Sequence, residues 1–182
     1  MTAAGDAGTL PEFRSQSPRH RFGLKGPSAG QWLAANGLPV PAAPNTWACA
    51  DAPGDSLTVA RLGSSEFFLE DREGGTALRD LDPTTVGLPP DVYPVLRQDA
   101  AFLLRGDASL DVLAQVCNVN FGELALESNP VIMTMMVGVS VLVIPELRAG
   151  RRQFRIWCDP TFGAYLAESL GTVVAESGGE QV

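Results

Sequence analysis

The clearest pattern along the chain is an apolar run that ends on a basic residue and a glycine and then continues with helical spacing. It occupies Phe102–Ala114, where Phe-Leu-Leu-Arg-Gly leads towards Leu110, Leu113, Ala114 and Cys117, an i, i+3, i+4, i+7 set. This predicts a strand turning into a helix, with Gly106 free to take the backbone angles of the corner. Eighty residues earlier the pattern occurs first: Phe22, Leu24, Lys25, Gly26, Leu33 and Ala34 stand where Phe102, Leu104, Arg105, Gly106, Leu113 and Ala114 do. A repeat this long, present twice, is not a solenoid unit and implies one domain of two related halves.

In the first half, Arg21–Leu24 reads as a strand. A helix follows, started either by Pro27 at its first position or by Ser28 as N-cap with Gln31 three residues on. Ala29, Trp32 and Leu33 face inward, and Asn36-Gly37 ends the helix. Pro39, Pro41 and Pro44 make an extended connector. Leu57–Leu62 and Glu66–Glu70 flank Gly63-Ser64-Ser65 as a hairpin, and Thr76–Leu81 reads as a brief helix. The second half repeats the order. Val95–Leu104 is a strand with a break offered near Gln98-Asp99, and Asp107 can cap the next helix. After the connector Phe121–Asn129, Val131–Ile144 and Gln153–Cys158 form a hairpin around Ala149-Gly150-Arg151. Asp159-Pro160 opens a last helix whose inner face is Phe162, Leu166, Leu170 and Val173. Two β-α-β-β-α halves predict an α+β fold, mainly antiparallel, with helices packed on the sheets. The expected boundaries are a mobile tail over 1–17, one domain over 18–176 with halves 18–82 and 93–176, a Pro-rich linker over 83–92, and a frayed 177–182.

Val131–Ile144 holds fourteen residues without a charge, too few for a membrane-spanning helix, which needs about twenty. Its β-branched content favours a single strand. Met133, Met135, Val137, Val139, Val141 and Val143 share one face, while Ile132, Met136, Leu142 and Ile144 mix with Thr134, Gly138 and Ser140 on the other. Helices of the domain can cover both faces, or part of one can meet another protein. Four such side chains contribute about 8 kcal/mol on burial, against an association cost of roughly 4–15 kcal/mol, so a partner would need a wider contact. In the neighbouring strand Arg155, Trp157 and Asp159 alternate with apolar residues, which makes Trp157 either an interface anchor or a half-buried edge residue.

The formal charge of −8 and 45% hydrophobic content describe a globular protein and argue against a general binder of nucleic acid or anionic membrane. Arg14, Arg19, Arg21 and Lys25 are too scattered to reverse this. Cys49, Cys117 and Cys158 are odd in number and lack CxxC spacing, so neither a disulfide framework nor a zinc knuckle fits. Met1–Ser17 lacks the apolar stretch of a secretory signal, and a reducing cytoplasm is expected.

The chemistry on offer is thin. His20 is the single histidine, lies between Arg19 and Arg21, and reads as a surface residue. Phosphate-binding GxGxxG and GxxxxGK[ST] loops do not occur. Glu66, Glu70, Asp71 and Glu73 read as a solvated rim. Arg97 and Asp99, in an apolar context, suggest an internal ion pair first and a subunit contact second. No residue is assigned a catalytic role.

Three runs, Arg-Phe-Gly-Leu-Lys-Gly-Pro at 21–27, Pro-Val-Leu-Arg-Gln-Asp-Ala at 94–100 and Phe-Arg-Ile-Trp-Cys-Asp-Pro-Thr-Phe-Gly at 154–163, resemble the gamma subunit of heterotetrameric sarcosine oxidase. The likeness spans roughly Arg21–Leu170, and the third run is the most specific. The resemblance implies the fold of the folate-binding domain of the glycine-cleavage T-protein. It further implies a non-catalytic structural subunit in a cytoplasmic complex that oxidatively demethylates sarcosine or another N-methyl amino acid. In such complexes FAD, FMN, NAD, tetrahydrofolate and zinc belong to the alpha, beta and delta subunits, and this chain carries no cofactor or metal of its own. Nucleic acid and membrane are not expected partners. Arg97, Asp99, Met136, Arg155, Trp157 and Asp159 are the candidate partner-binding residues. The alternatives are a free-standing tetrahydrofolate-binding protein or aminomethyltransferase, and a diverged domain with an unrelated partner.

Overall fold

The computed structural model describes residues 9–16, 18–50 and 56–182. In chain order the elements are β1 (Glu12–Ser15), β2 (Arg21–Lys25), α1 (Ala29–Ala35), β3 (Thr46–Ala50), β4 (Leu57–Arg61), β5 (Glu66–Asp71), β6 (Tyr93–Val95) and β7 (Ala100–Arg105). There follow α2 (Ser109–Val116), β8 (Ile132–Met136), β9 (Val139–Arg148), β10 (Arg151–Cys158), α3 (Gly163–Glu176) and β11 (Glu180–Gln181). These residues form two compact units, one of 18–98 with 127–132, the other of 9–16, 99–126 and 133–182.

The first unit has strand order β3-β4-β5-β2-β6, and the second β8-β9-β10-β7-β1 with β11 beyond β1. The predicted repeat is therefore a structural one: β2 and β7 are equivalent central strands, and β5 and β10 lie beside them antiparallel. What the repeat did not foretell is the origin of the outer strands. β1, just ahead of β2 in the chain, pairs with β7, and β6, just ahead of β7, pairs with β2. Each unit thus takes one strand from the segment leading into the other. The expected tail over 1–17 and frayed end over 177–182 accordingly include strands, because β7 offers β1 a free edge and β1 offers one to β11. Likewise β6 and β7 are separate strands in different sheets, so the single strand expected over Val95–Leu104 breaks at the Gln98-Asp99 interruption.

Both strand-to-helix corners depend on glycine. Gly26 has φ of 130° and Gly106 of 102°. A Cβ on Gly26 would lie 2.0 Å from the carbonyl oxygen of Asp91, and one on Gly106 would lie 2.4 Å from that of Leu10. Those two carbonyls belong to the chain entering β6 and β1, so the corner and the outer strand occupy the same space and only glycine permits both. The pairs are also tied by polar contacts. Ser28 donates its hydroxyl to the carboxylate of Asp91. Asp107 accepts from the Thr9 amide and hydroxyl, each at 3.1 Å. Neither side chain caps its helix as the sequence suggests: Asp107 binds Thr9, and Ser28 makes no capping bond.

The first core lies between α1 and one face of its sheet, with Trp32 and Leu33 against Phe22, Leu24, Leu57, Val59, Phe67, Leu69, Leu78 and Val92. Leu78 reaches it from a run of turns rather than the expected helix over Thr76–Leu81, since Asp71 takes the Leu78 amide. β3 was not predicted, and pairs in full with β4. In the second unit α2 buries Ser109, Val112, Leu113 and Val116, and Cys117 just beyond it is buried too. Of the expected stripe Leu113 and Cys117 are thus interior, whereas Leu110 is half-buried and Ala114 exposed, both beside an open groove of about 530 Å³ bounded by residues 118–122. In α3 Leu166 and Leu170 are buried as expected, together with Gly163, Gly171 and Val174, while Phe162 is exposed and Val173 half-buried. Asp159 accepts from the Thr161 amide and hydroxyl and caps the short 3-10 turn before α3, as predicted.

Val131–Ile144 is not one strand but the hairpin β8–β9, turning at Val137 (φ 42°) and Gly138 (φ 85°). Positive φ at both central residues is the turn that matches the twist of a two-residue hairpin. The turn reverses which parity faces in: Met133 and Met135 are exposed, whereas Met136, Val139, Val141 and Val143 are buried. A β-branched valine is poorly suited to the left-handed region. Val137→Asn is expected to stabilise the protein by about 1 kcal/mol, raising the urea midpoint; a continuous strand would instead be weakened by asparagine.

Candidate functional site

Residues alternate across a strand, so a sheet with one face on its core must account for the side chains of the other. In β5, Phe67 and Leu69 enter the core, and Phe68 and Glu70 point to the opposite side. That side is buried as well, with Thr58, Phe68 and Glu70 all nearly inaccessible. Arg21 and Glu70 stand opposite each other in the β2–β5 register, and their side chains meet at 2.9 Å. Removing either partner alone would strand a buried charge, at a cost of about 3–5 kcal/mol. At the end of β5, Asp71 and Arg72 are buried in turn. Arg72 stacks its guanidinium 5.6 Å from the Trp47 ring. His20 Nε2 lies 3.2 Å from Asp82, with its ring edge-on to Phe22 at 6.3 Å.

The expected solvated rim is therefore half wrong. Glu66 and Glu73 retain access to solvent, but Glu70 and Asp71 are interior, Glu70 paired with Arg21 and Asp71 accepting from the Leu78 amide. His20 is partly covered and faces a carboxylate. The one signal in the sequence was the position of these acids at the end of an alternating strand, which composition alone does not reveal.

The second unit has the matching arrangement. Arg155 and Trp157 lie on the same side of β10, and the Arg155 guanidinium sits 4.7 Å from the indole centre. Both are buried, Trp157 to 2% exposure and Arg155 to 5%. Met136 is fully buried, beside the bridge to Cys117. These three candidates are buried within the chain: Arg155 and Trp157 lie on β10, an inner strand flanked by β7 and β9, and the hairpin turn puts Met136 inside. Arg97 lies 5.5 Å from the Phe68 ring and 3.8 Å from Glu66. Asp99 belongs to the other unit, where it and Asp159 face Cys158. Burial first, then those carboxylates, push the Cys158 thiol up to about 11, which leaves it protonated at neutral pH and unsuited to nucleophilic work. Asp159 is exposed and serves as a cap.

Beyond these pairs the accessible features are few. Met133 and Met135 are more than half exposed on β8, an edge strand. Among the described residues no three His, Cys, Asp or Glu side chains converge as a metal site, and no helix is long and apolar enough to cross a membrane.

The architecture is that of known proteins. A chain of the heterotetrameric sarcosine oxidase from Corynebacterium sp. U-96, solved in complex with pyrrole 2-carboxylate, matches with a TM-score of 0.68 and 25% identity, over 93% of this chain and 86% of that one. Aminomethyltransferase T of the glycine cleavage system from Bartonella henselae matches with a TM-score of 0.72 and 17% identity, over 96% of this chain and 48% of that one. This chain thus spans about half the length of the aminomethyltransferase, and the likeness there is one of fold. No family model and no curated protein matches the sequence. The fold class is α+β with antiparallel sheets, of the T-protein-like type.

Asp71 yields a test of the buried row. Desolvation raises its carboxyl above the ordinary value, against the Leu78 amide and the positive charges of His20 and Arg79. A carboxyl raised on folding favours the folded state below its unfolded value of about 3.9, and that stability is lost as pH rises through the folded value. Asp71→Asn keeps an oxygen for the Leu78 amide without the charge. Thermal melts are expected to show the variant gaining stability at pH 7 and the gain vanishing near pH 3.

Proposed function

We propose that this chain is a gamma-type, non-catalytic subunit of a flavin- and folate-dependent complex of the sarcosine oxidase kind, oxidising an N-methyl amino acid in the cytoplasm. The observation that carries the reading is the match to a chain of a heterotetrameric sarcosine oxidase over most of both chains. It pairs this chain with one of similar length rather than with a fragment of a large flavoprotein. The interior polar groups support a structural role: Arg21–Glu70 and Arg155–Trp157 hold strands, and Asp159 caps a turn. In this reading FAD, FMN, NAD, tetrahydrofolate and zinc are carried by alpha, beta and delta subunits. The T-protein-like fold favours a second reading, a free-standing protein that binds tetrahydrofolate itself.

The two differ in mass and colour. Purified by a tag from its own cells, the chain is expected to elute in an assembly several times heavier than 19.2 kDa with flavin absorbance, and alone to be inactive on sarcosine. A colourless monomer that binds tetrahydrofolate saturably would support the second reading instead.

A further inference from the structure

The two hairpins beside the central strands, β4–β5 and β9–β10, occupy equivalent places in the repeat, yet they treat charge in opposite ways. In the first, Arg61 donates to the carbonyl oxygens of Pro41, Ala42, Gly63 and Ser64 at 2.7–3.2 Å. Glu66 lies 3.3 Å from Lys25 and 3.8 Å from Arg97. The charge of that hairpin is satisfied within the chain.

The second hairpin carries Arg148, Arg151 and Arg152 around a tight turn at Ala149 (φ 51°) and Gly150 (φ 75°). No carboxylate among the described residues forms an ion pair with any of the three, and Nη1 of Arg152 is covered without a hydrogen bond. Arg148 and Arg151 are direct cross-strand partners, an arrangement of like charges that weakens a sheet. β7 pairs with β10 from Gln153 onward and Gly106 donates its amide to the Arg152 carbonyl at 3.1 Å, so beyond Arg152 only Arg151 and the turn extend, paired with β9 alone. Leu147, the cross-strand partner of Arg152, is 61% exposed. Three arginines without a carboxylate partner beside an exposed leucine, at the hairpin tip of a chain with formal charge −8, are an electrostatic fit for a counter-surface rather than for solvent.

We propose that the tip Leu147–Arg152 is the surface by which this chain seats on an acidic patch of a larger partner subunit, with Leu147 entering an apolar recess and the arginines pairing with carboxylates. This rests on the subunit reading above. A protein face fits better than nucleic acid or an anionic bilayer, because the rest of the chain is acidic and would be repelled by an extended polyanion.

The test uses the assembly purified from its own cells with the tagged chain as wild type, Arg151→Glu, Arg148→Glu/Arg151→Glu, and Ser64→Glu as a control on the equivalent hairpin. The expected result is at least tenfold weaker retention of the two tip variants in the flavin-containing assembly, and wild-type retention that falls from 50 to 300 mM NaCl. The control should stay bound. In the isolated chain Arg151→Glu should keep or raise Tm, since it replaces a repelling cross-strand pair with an attracting one, so lost assembly cannot be unfolding. A charge-conserving Arg148→Lys/Arg151→Lys chain treated with carbodiimide should form isopeptide bonds to Asp or Glu of the partner, read by mass spectrometry. Tip variants retained as tightly as wild type would overturn the proposal while leaving the subunit reading intact. A wild-type chain that forms no assembly removes both. Wild-type binding to phosphatidylserine vesicles, lost in the variants and without isopeptide products, would replace the protein partner with a membrane.

Discussion

The fold depends on a close approach that only glycine allows. At Gly26 and at Gly106 a central strand bends into its helix while the carbonyl of an incoming segment presses where a side chain would begin. That segment becomes the outer strand of the same sheet, β6 in one unit and β1 in the other. One steric condition therefore sets the corner, admits the outer strand and fixes where the helix starts. The polar ties beside it, Ser28 to Asp91 and Thr9 to Asp107, use residues that would otherwise cap the helices. Helix ends are given up to secure the exchange of strands.

With both faces of each sheet covered, the charged side chains on the second face cannot reach bulk solvent. They are accommodated by pairing and stacking: Arg21 with Glu70, Arg72 on Trp47, Arg155 on Trp157. Arginine suits this use because its planar, weakly hydrated guanidinium can stack and bond at once. The chain has a single lysine, Lys25, among its thirteen cationic residues, and that preference follows from how many of the cations are interior. Against this background the arginines at the β9–β10 tip differ, having neither a carboxylate nor an aromatic ring against them among the described residues.

A T-protein-like framework is compatible with more than one role. The interior chemistry here serves the framework: the thiol of Cys158 is held protonated by burial, and Asp159 and Asp82 are lowered by bonds to Thr161 and Thr84 that close turns. On the subunit reading proposed above, function lies in what the surface meets, and the unbalanced tip and the exposed methionines of β8 then carry more weight than the titratable core.

The repeat, the α+β class and the hairpins around Gly63-Ser64-Ser65 and Ala149-Gly150-Arg151 were legible from the residues, because these are local patterns of alternation and turn residues. Alternation also put Arg155, Trp157 and Asp159 on one face of a strand, with Trp157 as an interface anchor or a half-buried edge residue rather than as core. Tertiary structure alone decided the exchange of β1 and β6, since strand partnership is non-local and leaves no trace in periodicity. It decided which edge of each helical stripe is covered, leaving Leu110, Ala114 and Phe162 outside while Leu113, Cys117, Leu166 and Leu170 are inside, because an amphipathic stripe is wider than the face a sheet finally covers. It also split Val131–Ile144 at Val137, where an unbroken apolar run hid a turn made by an unfavourable residue. Burial of Glu70, Asp71 and Met136 was likewise invisible until the second face of each sheet was seen to be covered, since a strand's sequence shows that it has two faces but not what lies against either.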